Sequence, residues 1–258
     1  MNALERLVDR TARRFGIQIA RASSLGSRLP IEASSQDAEI IAALKPFTMT
    51  SAERLWVLLS ATRYICDSGI RGDFVECGVW RGGSVMAMTH ALLGKGFTDR
   101  RIWLYDTFTG MTDPTEKDVE AGTGITAEQL LRSTPTGDGN NVWCIAGRSD
   151  VETNVLSTGY PRDNLVFVEG DVVETLTQQA PEAIALLRLD TDWYESTRVS
   201  LETLYPKLVP GGICILDDYG HWKGARDAVD EYFASTRVRP LMLPIDYSGR
   251  IFIKPASE

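Results

Sequence analysis

The sequence predicts an α/β fold: a mostly parallel sheet of seven strands that ends in a C-terminal antiparallel hairpin, with additional helices at the N-terminus. Three patterns predict this fold. A strand, a glycine turn and a helix follow one another over residues 73–93, strand-like and helical runs alternate to residue 234, and two strand-like runs close the chain. A chain of 258 residues can bury one large core. We expect a helical arm and linker over residues 1–47 and one domain over 48–258.

The glycine turn connects the first strand to its helix. Residues 73–77 are strand-like, GVWRGGS follows over 78–84, and residues 85–93 have a helical pattern that Gly94 could cap. Glycines let the backbone approach a ligand closely, and the N–H groups at a helix start favour carboxylate or phosphate. The spacing is neither the dinucleotide fingerprint G-x-G-x-x-G nor a P-loop. A tight turn without a ligand is the alternative interpretation.

The other elements follow from apolar periodicity and capping residues. A helix that starts after Thr50 or Ser51 precedes the glycine turn. Beyond the turn, we predict strands at 101–105, 165–169, 184–189 and 213–216, and helices that begin near 126 and 149 or span 172–179, 196–204 and 223–234.

Two strand-like runs at the C-terminus, residues 240–243 and 250–254, distinguish between two candidate folds. Residues 245–249 between them are too few for a crossover helix, so the runs must pair as an antiparallel hairpin. Five βα units and a hairpin describe the Rossmann-like, seven-stranded sheet of class I S-adenosylmethionine (SAM) methyltransferases. A nicotinamide-binding Rossmann domain would need another crossover helix instead.

Composition excludes several classes of partner. A net charge of −8 without a dense Lys/Arg tract argues against nucleic acid, whose binding requires neutralisation of phosphates. The four cysteines are widely spaced and form no C-x-x-C, which is typical of core thiols in a reducing compartment. No apolar run approaches the roughly 18 residues of a membrane span, and the N-terminus lacks a signal-peptide core. We therefore expect a cytoplasmic protein without a membrane partner.

The N-terminal arm is basic and amphipathic. Residues 1–35 contain six arginines and three acidic residues, and apolar side chains recur near one helical face. Such a helix can contact a membrane surface or serve as a transit peptide. The interspersed acids favour packing on its own or a neighbouring subunit, so we expect a homo-oligomer formed through the arm. Residues 22–36 are typical of a linker.

Carboxylates stand at or near the ends of the predicted strands, where open α/β sheets bind ligands. Such a cluster needs a cation, and oxygen ligands favour Mg²⁺ or Ca²⁺ over Zn²⁺. We predict Asp190, Asp217 and Asp218 as the metal ligands. Each aspartate has a helix cap as its alternative role. The carboxylates are Glu76, Asp106, Asp171, Asp190, Asp217 and Asp218.

Further residues near these strand ends have candidate roles. Asp106 lies 30 positions beyond Glu76, where a second strand would present a carboxylate to a ribose. His221 could orient substrate or accept a proton, with a cap or surface role as the alternative, whereas His90 is predicted to pack in a helix. Arg81 and Arg188 could pair with acids. The long polar, glycine-punctuated segment after Asp106 is typical of a mobile lid, placed at about 111–148.

Four segments, FVECGVWRGGS, YDTFTGM, LRLDTDWYEST and PGGICILDDYGHW, resemble the macrocin O-methyltransferase family. Its members are SAM- and Mg²⁺-dependent enzymes that methylate sugar hydroxyls in macrolide and related antibiotic biosynthesis. The resemblance covers about residues 45–255 but is poor in the lid and arm. It implies metal ligation by Asp190, Asp217 and Asp218, with Asp190 also the base and Asp192 a competitor two positions along. The cofactor contacts that it implies are Thr48, Met49, Glu76, Gly78, Val79, Trp80, Arg81, Gly82, Ser84, Asp106, Thr107, Phe108, Gly170, Asp171 and Asp190.

The predicted activity is metal-assisted transfer of the SAM methyl group to a hydroxyl, with Asp190 and His221 as catalytic candidates. The expected acceptor is a glycosylated small molecule. An aliphatic hydroxyl is a weak nucleophile near neutral pH, so a base and a metal ion are needed to remove its proton. Three alternatives stay open: a catechol or other phenol O-methyltransferase, a SAM-binding module without turnover, and a nicotinamide oxidoreductase.

Overall fold

The computed structural model describes residues 29–136, 141–236 and 238–256. Within them the strands form one sheet, and its fold class is the predicted one. The strands are β1 (Asp73–Cys77), β2 (Ile102–Asp106), β3 (Leu165–Glu169), β4 (Ile184–Leu189), β5 (Leu208–Leu216), β6 (Leu243–Pro244) and β7 (Arg250–Ile253).

The strand order is β3-β2-β1-β4-β5-β7-β6. β1 to β5 pair in parallel, whereas β7 is antiparallel to both β5 and β6, which confirms the predicted hairpin. The order reverses between β1 and β4. Ligands in open α/β sheets bind in the crevice beyond the carboxyl ends of the strands at such a reversal.

Helices cover both faces of this sheet, as parallel strands require. The helices in the described residues are α1 (Ser35–Leu44), α2 (Ala52–Asp67), α3 (Gly83–Gly94), α4 (Ala127–Ser133), α5 (Arg148–Leu156), α6 (Val172–Gln178), α7 (Tyr194–Leu204) and α8 (Lys223–Ser235). Short 3₁₀ turns span Lys45–Phe47, Arg162–Asn164 and Tyr205–Lys207.

Alternate side chains of the central strands enter two separate cores. Phe74 of β1 packs with α1, α2, α3 and α5 on one face, and Val75 packs with α6, α7 and α8 on the other. All six residues of β4 are buried, and five of them are apolar. The exception is Arg188, whose partners lie at the site described below.

Helix α1 was not predicted, and it overlaps the last two residues of the expected linker. It begins with a capping box, in which the Asp37 N–H donates to Ser34 Oγ at 3.1 Å and the Ser34 N–H donates to Asp37 Oδ2 at 3.0 Å. Arg63 on α2 also binds Asp37, at 2.5 Å. These contacts fix the end of the polar segment as a helix.

Two strands differ from the prediction by more than one residue. β5 begins at Leu208 instead of residue 213, because a bulge opposite β4 accommodates Pro210 without ending the strand. The first hairpin strand is Leu243–Pro244 instead of 240–243. Prolines at 240 and 244 offer no N–H to a neighbouring strand, which keeps this edge strand short.

The predicted N-terminal helix of the arm, the first seven residues of the linker and the predicted oligomer contact fall on residues 1–28, outside the described residues. A search of the described part of the chain found no helix that is long and apolar enough to cross a membrane.

Candidate active site

The glycine turn lies at the reversal of strand order and makes two close backbone contacts. Gly78 has φ +81°, and a Cβ at this position would lie 1.8 Å from the Asp190 carbonyl oxygen at the end of β4. A Cβ at Gly83 would lie 2.6 Å from the Phe47 carbonyl oxygen. Glycine is therefore needed at both positions, where the turn packs against β4 and against the segment before α2.

The carboxylate of Asp106 organises the turn from the end of β2. Its Oδ2 accepts the N–H groups of Val79 at 2.6 Å and Trp80 at 3.0 Å, and its Oδ1 accepts that of Phe108 at 2.7 Å. Burial raises the pKa of Asp106, while these three hydrogen bonds act in the opposite direction. Asp106 thus fixes the loops after β1 and β2.

A cavity of about 390 Å³ opens beside this turn. Most predicted site residues line it, together with Arg54, Glu120, Asp192, Trp193, Trp222 and Tyr247. The predicted residues in its lining are Thr48, Met49, Gly78, Val79, Trp80, Ser84, Asp106, Asp190, Asp217, Asp218 and His221.

A second cavity, of about 70 Å³, shares Gly78, Asp106, Asp190 and Asp192 with the first. It adds Thr107, Gly170 and Asp171, which the sequence also predicted. Asp171 caps α6, since its Oδ1 accepts the Val173 N–H at 2.9 Å. Its alternative role as a helix cap is therefore present in the structure.

Three other predicted cofactor residues lie outside both cavity linings. Arg81 pairs with Asp150 at 3.0 Å and donates to the Pro46 carbonyl at 2.9 Å, which supports the prediction that it pairs with an acid. Gly82 has φ +89° and packs against α5. The Phe108 ring is buried against Phe167. These residues support the turn from behind.

Glu76 also lies outside the cavity linings, at 1% exposure. Its Oε1 pairs with Arg188, but its Oε2 has no hydrogen-bond partner within the described residues. Burial raises the pKa of Glu76 to about 8. Trp80 Nε1 is likewise buried without a partner among these residues. Two buried polar atoms near the glycine turn therefore lack a hydrogen-bond partner among the described residues.

Arg188 connects three carboxylates beneath the cavity. It is 2% exposed, pairs with Glu76, and its Nη2 lies 2.8 Å from Asp190 Oδ2 and 2.6 Å from Asp217 Oδ1. Arg54 pairs with the other oxygen of Asp217. Burial opposes the charge of Arg188, but the carboxylates hold its pKa well above the usual value. Both oxygens of Asp217 are therefore occupied by arginines.

Asp190 also forms, together with Asp192 and Asp218, what we call the acidic triad. One oxygen of each lies within 4.8 Å of the others. Of the predicted metal ligands, the structure brings Asp190 and Asp218 together, with Asp192 beside them, whereas Asp217 pairs with the two arginines. Asp192 has φ +61°, donates its N–H to Asp218 Oδ2 at 3.1 Å and accepts from Trp222 Nε1 at 2.8 Å.

Electrostatics at the acidic triad are unfavourable without a cation. Burial raises the pKa of Asp190 to about 6, and burial together with the charge of Asp190 raises the pKa of Asp192 to about 8. Burial and the neighbouring aspartates also raise the pKa of Asp218 well above its usual value. The triad thus holds more negative charge than its arginine neighbour compensates.

His221 lies between an acid and an aromatic ring at the mouth of the cavity. Its Nε2 is 3.7 Å from Glu120 Oε1, and its Nδ1 is 3.4 Å from the Tyr247 hydroxyl. Burial lowers the pKa of His221, while Glu120 acts in the opposite direction. His90 is half-buried on α3, away from both cavity linings.

The described part of the predicted lid covers the cavity. Trp193 Nε1 donates to the Thr112 carbonyl at 3.0 Å, and the Ala121 N–H donates to the His221 carbonyl at 2.8 Å. Asp118 is fully buried and accepts the Tyr194 N–H at 2.7 Å. Sequence reasoning missed Asp118, because only its contact with the start of α7 separates it from other lid acids. The mobility of this segment stays a prediction.

The profile of the macrocin O-methyltransferase (TylF) family matches residues 31–254. The chain belongs to this family. It is therefore a SAM-dependent O-methyltransferase with the class I fold, as the resemblance implied. Family membership favours methyl transfer over the SAM-binding module and the nicotinamide oxidoreductase.

The curated relatives of this chain are named as O-methyltransferases. The 8-demethyl-8-(2,3-dimethoxy-alpha-L-rhamnosyl)-tetracenomycin-C 4'-O-methyltransferase of Streptomyces olivaceus is 34% identical over 202 residues, 78% of this chain and 73% of the relative. Demethyldecarbamoylnovobiocin O-methyltransferase of Streptomyces niveus is 33% identical with the same coverage. The solved structure of the O-methyltransferase NovP has a TM-score of 0.70 at 30% identity, covering 81% of this chain and 83% of that chain.

Proposed function

We propose that this enzyme is a cytoplasmic, Mg²⁺-dependent O-methyltransferase that methylates a sugar hydroxyl on a glycosylated natural product of the antibiotic type. We further propose that it assembles as a homo-oligomer through its N-terminal arm. The observation that carries the proposed activity is the acidic triad in the same cavity as the glycine turn and Asp106. The sugar acceptor is supported by the rhamnosyl substrate named for the 34% identical relative.

The residues around the glycine turn fit SAM. Glu76 Oε2, which has no partner in the part of the chain that the structure describes, suits the amine of the methionine part, and Trp80 Nε1 is a donor without a partner there at the same turn. Asp106 lines the cavity and retains acceptor capacity for ribose hydroxyls, since a carboxylate has about four lone-pair sites. SAM supplies an electrophilic methyl group when bound.

The acidic triad fits Mg²⁺. Its ligand atoms are all oxygens, the donor type that Mg²⁺ prefers, and their uncompensated charge favours a divalent cation. Asp190, Asp192 and Asp218 would hold the ion, whereas Asp217 is bound by Arg54 and Arg188. Mg²⁺ would lower the pKa of an adjacent acceptor hydroxyl.

The chain's own residues then align the acceptor and remove its proton. Arg188 holds one oxygen of Asp190 at 2.8 Å and fixes its direction. Asp190 accepts the proton of the hydroxyl as general base. The lid covers the cavity through Leu130, Val142 and Cys144, which limits the access of water. Alignment of the two reactants can supply roughly 7–11 kcal/mol of the barrier reduction.

An acceptor screen tests this function. The purified chain is incubated with SAM, Mg²⁺ and either hexopyranosides or catechol, and S-adenosylhomocysteine release and product mass are measured. We expect methylated glycoside and little methylated catechol. Asp190→Asn should abolish turnover even with excess Mg²⁺, whereas Asp227→Asn, which removes an exposed carboxylate on α8, should not. Methylation of catechol alone, or an active Asp190→Asn variant, would contradict the proposal.

A further inference from the structure

The turn between β6 and β7 places Tyr247 at the mouth of the cavity. Tyr247 is 70% exposed, yet it lines the cavity together with His221 and Ser248. A single exposed aromatic residue is ordinary on a protein surface. The position of Tyr247 and the way in which its backbone is held distinguish it from the others.

One carboxylate fixes the turn to the start of α2. Asp246 accepts the backbone N–H groups of Ser248 at 2.9 Å and Gly249 at 2.7 Å. It also accepts the Ser51 hydroxyl at 2.7 Å and lies 2.9 Å from Arg54 Nε. Burial opposes the charge of Asp246, but these partners lower its pKa, so the carboxylate is ionised near neutral pH.

The same turn is fixed to the loop after β5. Ser248 Oγ donates to the Asp217 carbonyl at 2.6 Å, and the Gly220 N–H donates to the Ser248 carbonyl at 2.9 Å. A Cβ at Gly220 would lie 1.8 Å from the Tyr247 carbonyl oxygen. Because Asp218 of this loop belongs to the acidic triad, Tyr247 is held at a set position relative to the triad.

Within the described ranges, the Tyr247 ring has His221 as its close aromatic neighbour, and the residue is 70% exposed. It meets the His221 ring edge-to-face, with centroids 5.9 Å apart at 85°. The hydroxyl is 3.4 Å from His221 Nδ1, too far for a strong hydrogen bond. The ring therefore offers an apolar face that is held in place before a ligand arrives, which reduces the cost of binding.

We propose that Tyr247 forms an acceptor subsite that binds the apolar C–H face of a pyranose ring, a subsite that presupposes the sugar O-methyltransferase activity proposed above. His221 and Glu120, which line the same mouth, would hydrogen-bond the hydroxyls of that ring. Asp246 is a positioning residue, because it acts through the backbone of the turn.

Substitution of Tyr247 tests the subsite, with the hexopyranosides of the acceptor screen as probes. Tyr247→Ala should raise KM for the methylated glycoside about tenfold, or about 1.4 kcal/mol, with kcat within about twofold. Tyr247→Phe keeps the ring and should behave like the wild type. Tyr64→Ala is the matched control, because Tyr64 is also exposed, at 43%, but lies on α2 outside the cavity lining. The affinity for S-adenosylhomocysteine, measured by calorimetry, should be unchanged in all three.

Asp246 gives a second measurement. Asp246→Ala should raise KM for the glycoside as Tyr247→Ala does. Asp246→Asn keeps an oxygen that can accept the N–H groups of the turn, so it should raise this KM less. A larger effect on kcat than on KM would contradict a positioning role.

The outcomes separate the subsite from the function on which it depends. A glycoside KM that is unchanged in Tyr247→Ala, while the wild type methylates that glycoside, overturns the subsite and leaves the proposed function standing. An equal increase in the glycoside KM in Tyr247→Ala and Tyr247→Phe overturns the stacking role of the ring. Failure of the wild type to methylate any glycoside, alongside methylation of catechol, overturns both.

Discussion

Replacement of Arg188 by methionine should be among the most damaging single changes in this enzyme. The substitution keeps much of the side-chain length but removes the charge that pairs with Glu76, Asp190 and Asp217. Glu76 is 1% exposed and has no other charged partner among the described residues, so its carboxyl would be left unpaired in the core, and its pKa, about 8 beside Arg188, would rise further. Breaking a buried ion pair by removing one partner costs about 3–5 kcal/mol.

Urea and thermal unfolding measure the loss. At about 2–4 °C per kcal/mol for a chain of this size, Arg188→Met should lower Tm by roughly 6–20 °C. Arg198→Met is the matched control, because Arg198 also pairs with more than one carboxylate, Glu195 at 2.5 Å and Glu202 at 2.7 Å, but its side chain is 34% exposed against 2% for Arg188. Exposed ion pairs contribute at most about 1 kcal/mol each, so this control should unfold close to the wild type.

A double variant tests the physical reason. If the loss of stability in Arg188→Met arises from the unpaired buried carboxyl of Glu76, then adding Glu76→Gln should recover part of it, at least about 1 kcal/mol. Equal stability of Arg188→Met and Arg198→Met would refute the reasoning. So would a double variant whose loss of stability equals the sum of the losses in Arg188→Met and Glu76→Gln.

Three further predictions follow from single contacts. Gly78→Ala would place a Cβ 1.8 Å from the Asp190 carbonyl oxygen at a φ of +81°; it should abolish turnover and destabilise by about 2 kcal/mol or more, and an active, stable variant would contradict this. Asp106→Ala should weaken S-adenosylhomocysteine binding in calorimetry by about 2–4 kcal/mol, and unchanged affinity would count against the ribose assignment. Asp37→Asn should lower the free energy of unfolding at pH 7 by about 1–2 kcal/mol. Burial opposes the charge of Asp37, but hydrogen bonds from Arg63 and Ser34 lower its pKa. This contribution is present above about pH 4 and is lost as the pH falls through the folded pKa, so the difference from the wild type should shrink toward pH 3; a pH-independent difference would contradict the charged role.

Much of the fold could be predicted because the strands and helices of the sheet carry strong local patterns. The strand–glycine turn–helix unit and the short link in the C-terminal hairpin each follow from a few neighbouring residues. The differences occurred where local patterns conflict with tertiary contacts. Ser34 and Asp37 form a capping box inside a segment typical of a linker, and Pro210 lies within a strand because a bulge accommodates it.

The candidate site was less predictable, because ion pairing between distant residues decides which carboxylates remain free. The strand ends predicted the acids, but not that Arg54 and Arg188, 163 and 29 positions away, would both bind Asp217. Nor did they predict the left-handed backbone conformation of Asp192, the third member of the acidic triad. Its φ of +61° is uncommon for a residue other than glycine, and only the structure shows it.

Whether the acidic triad binds the required metal is tested most directly by Mg²⁺ titration of glycoside methylation after treatment with EDTA. We expect the wild type to lose activity in EDTA and to regain it with Mg²⁺. Asp192→Asn should need at least about tenfold more Mg²⁺ for half-maximal turnover, because it removes one of the three triad carboxylates. Asp217→Asn should instead lower Tm with little change in the Mg²⁺ requirement, because its oxygens bind arginines. Full activity in EDTA, or an unchanged Mg²⁺ requirement in Asp192→Asn together with a raised one in Asp217→Asn, would contradict the assignment.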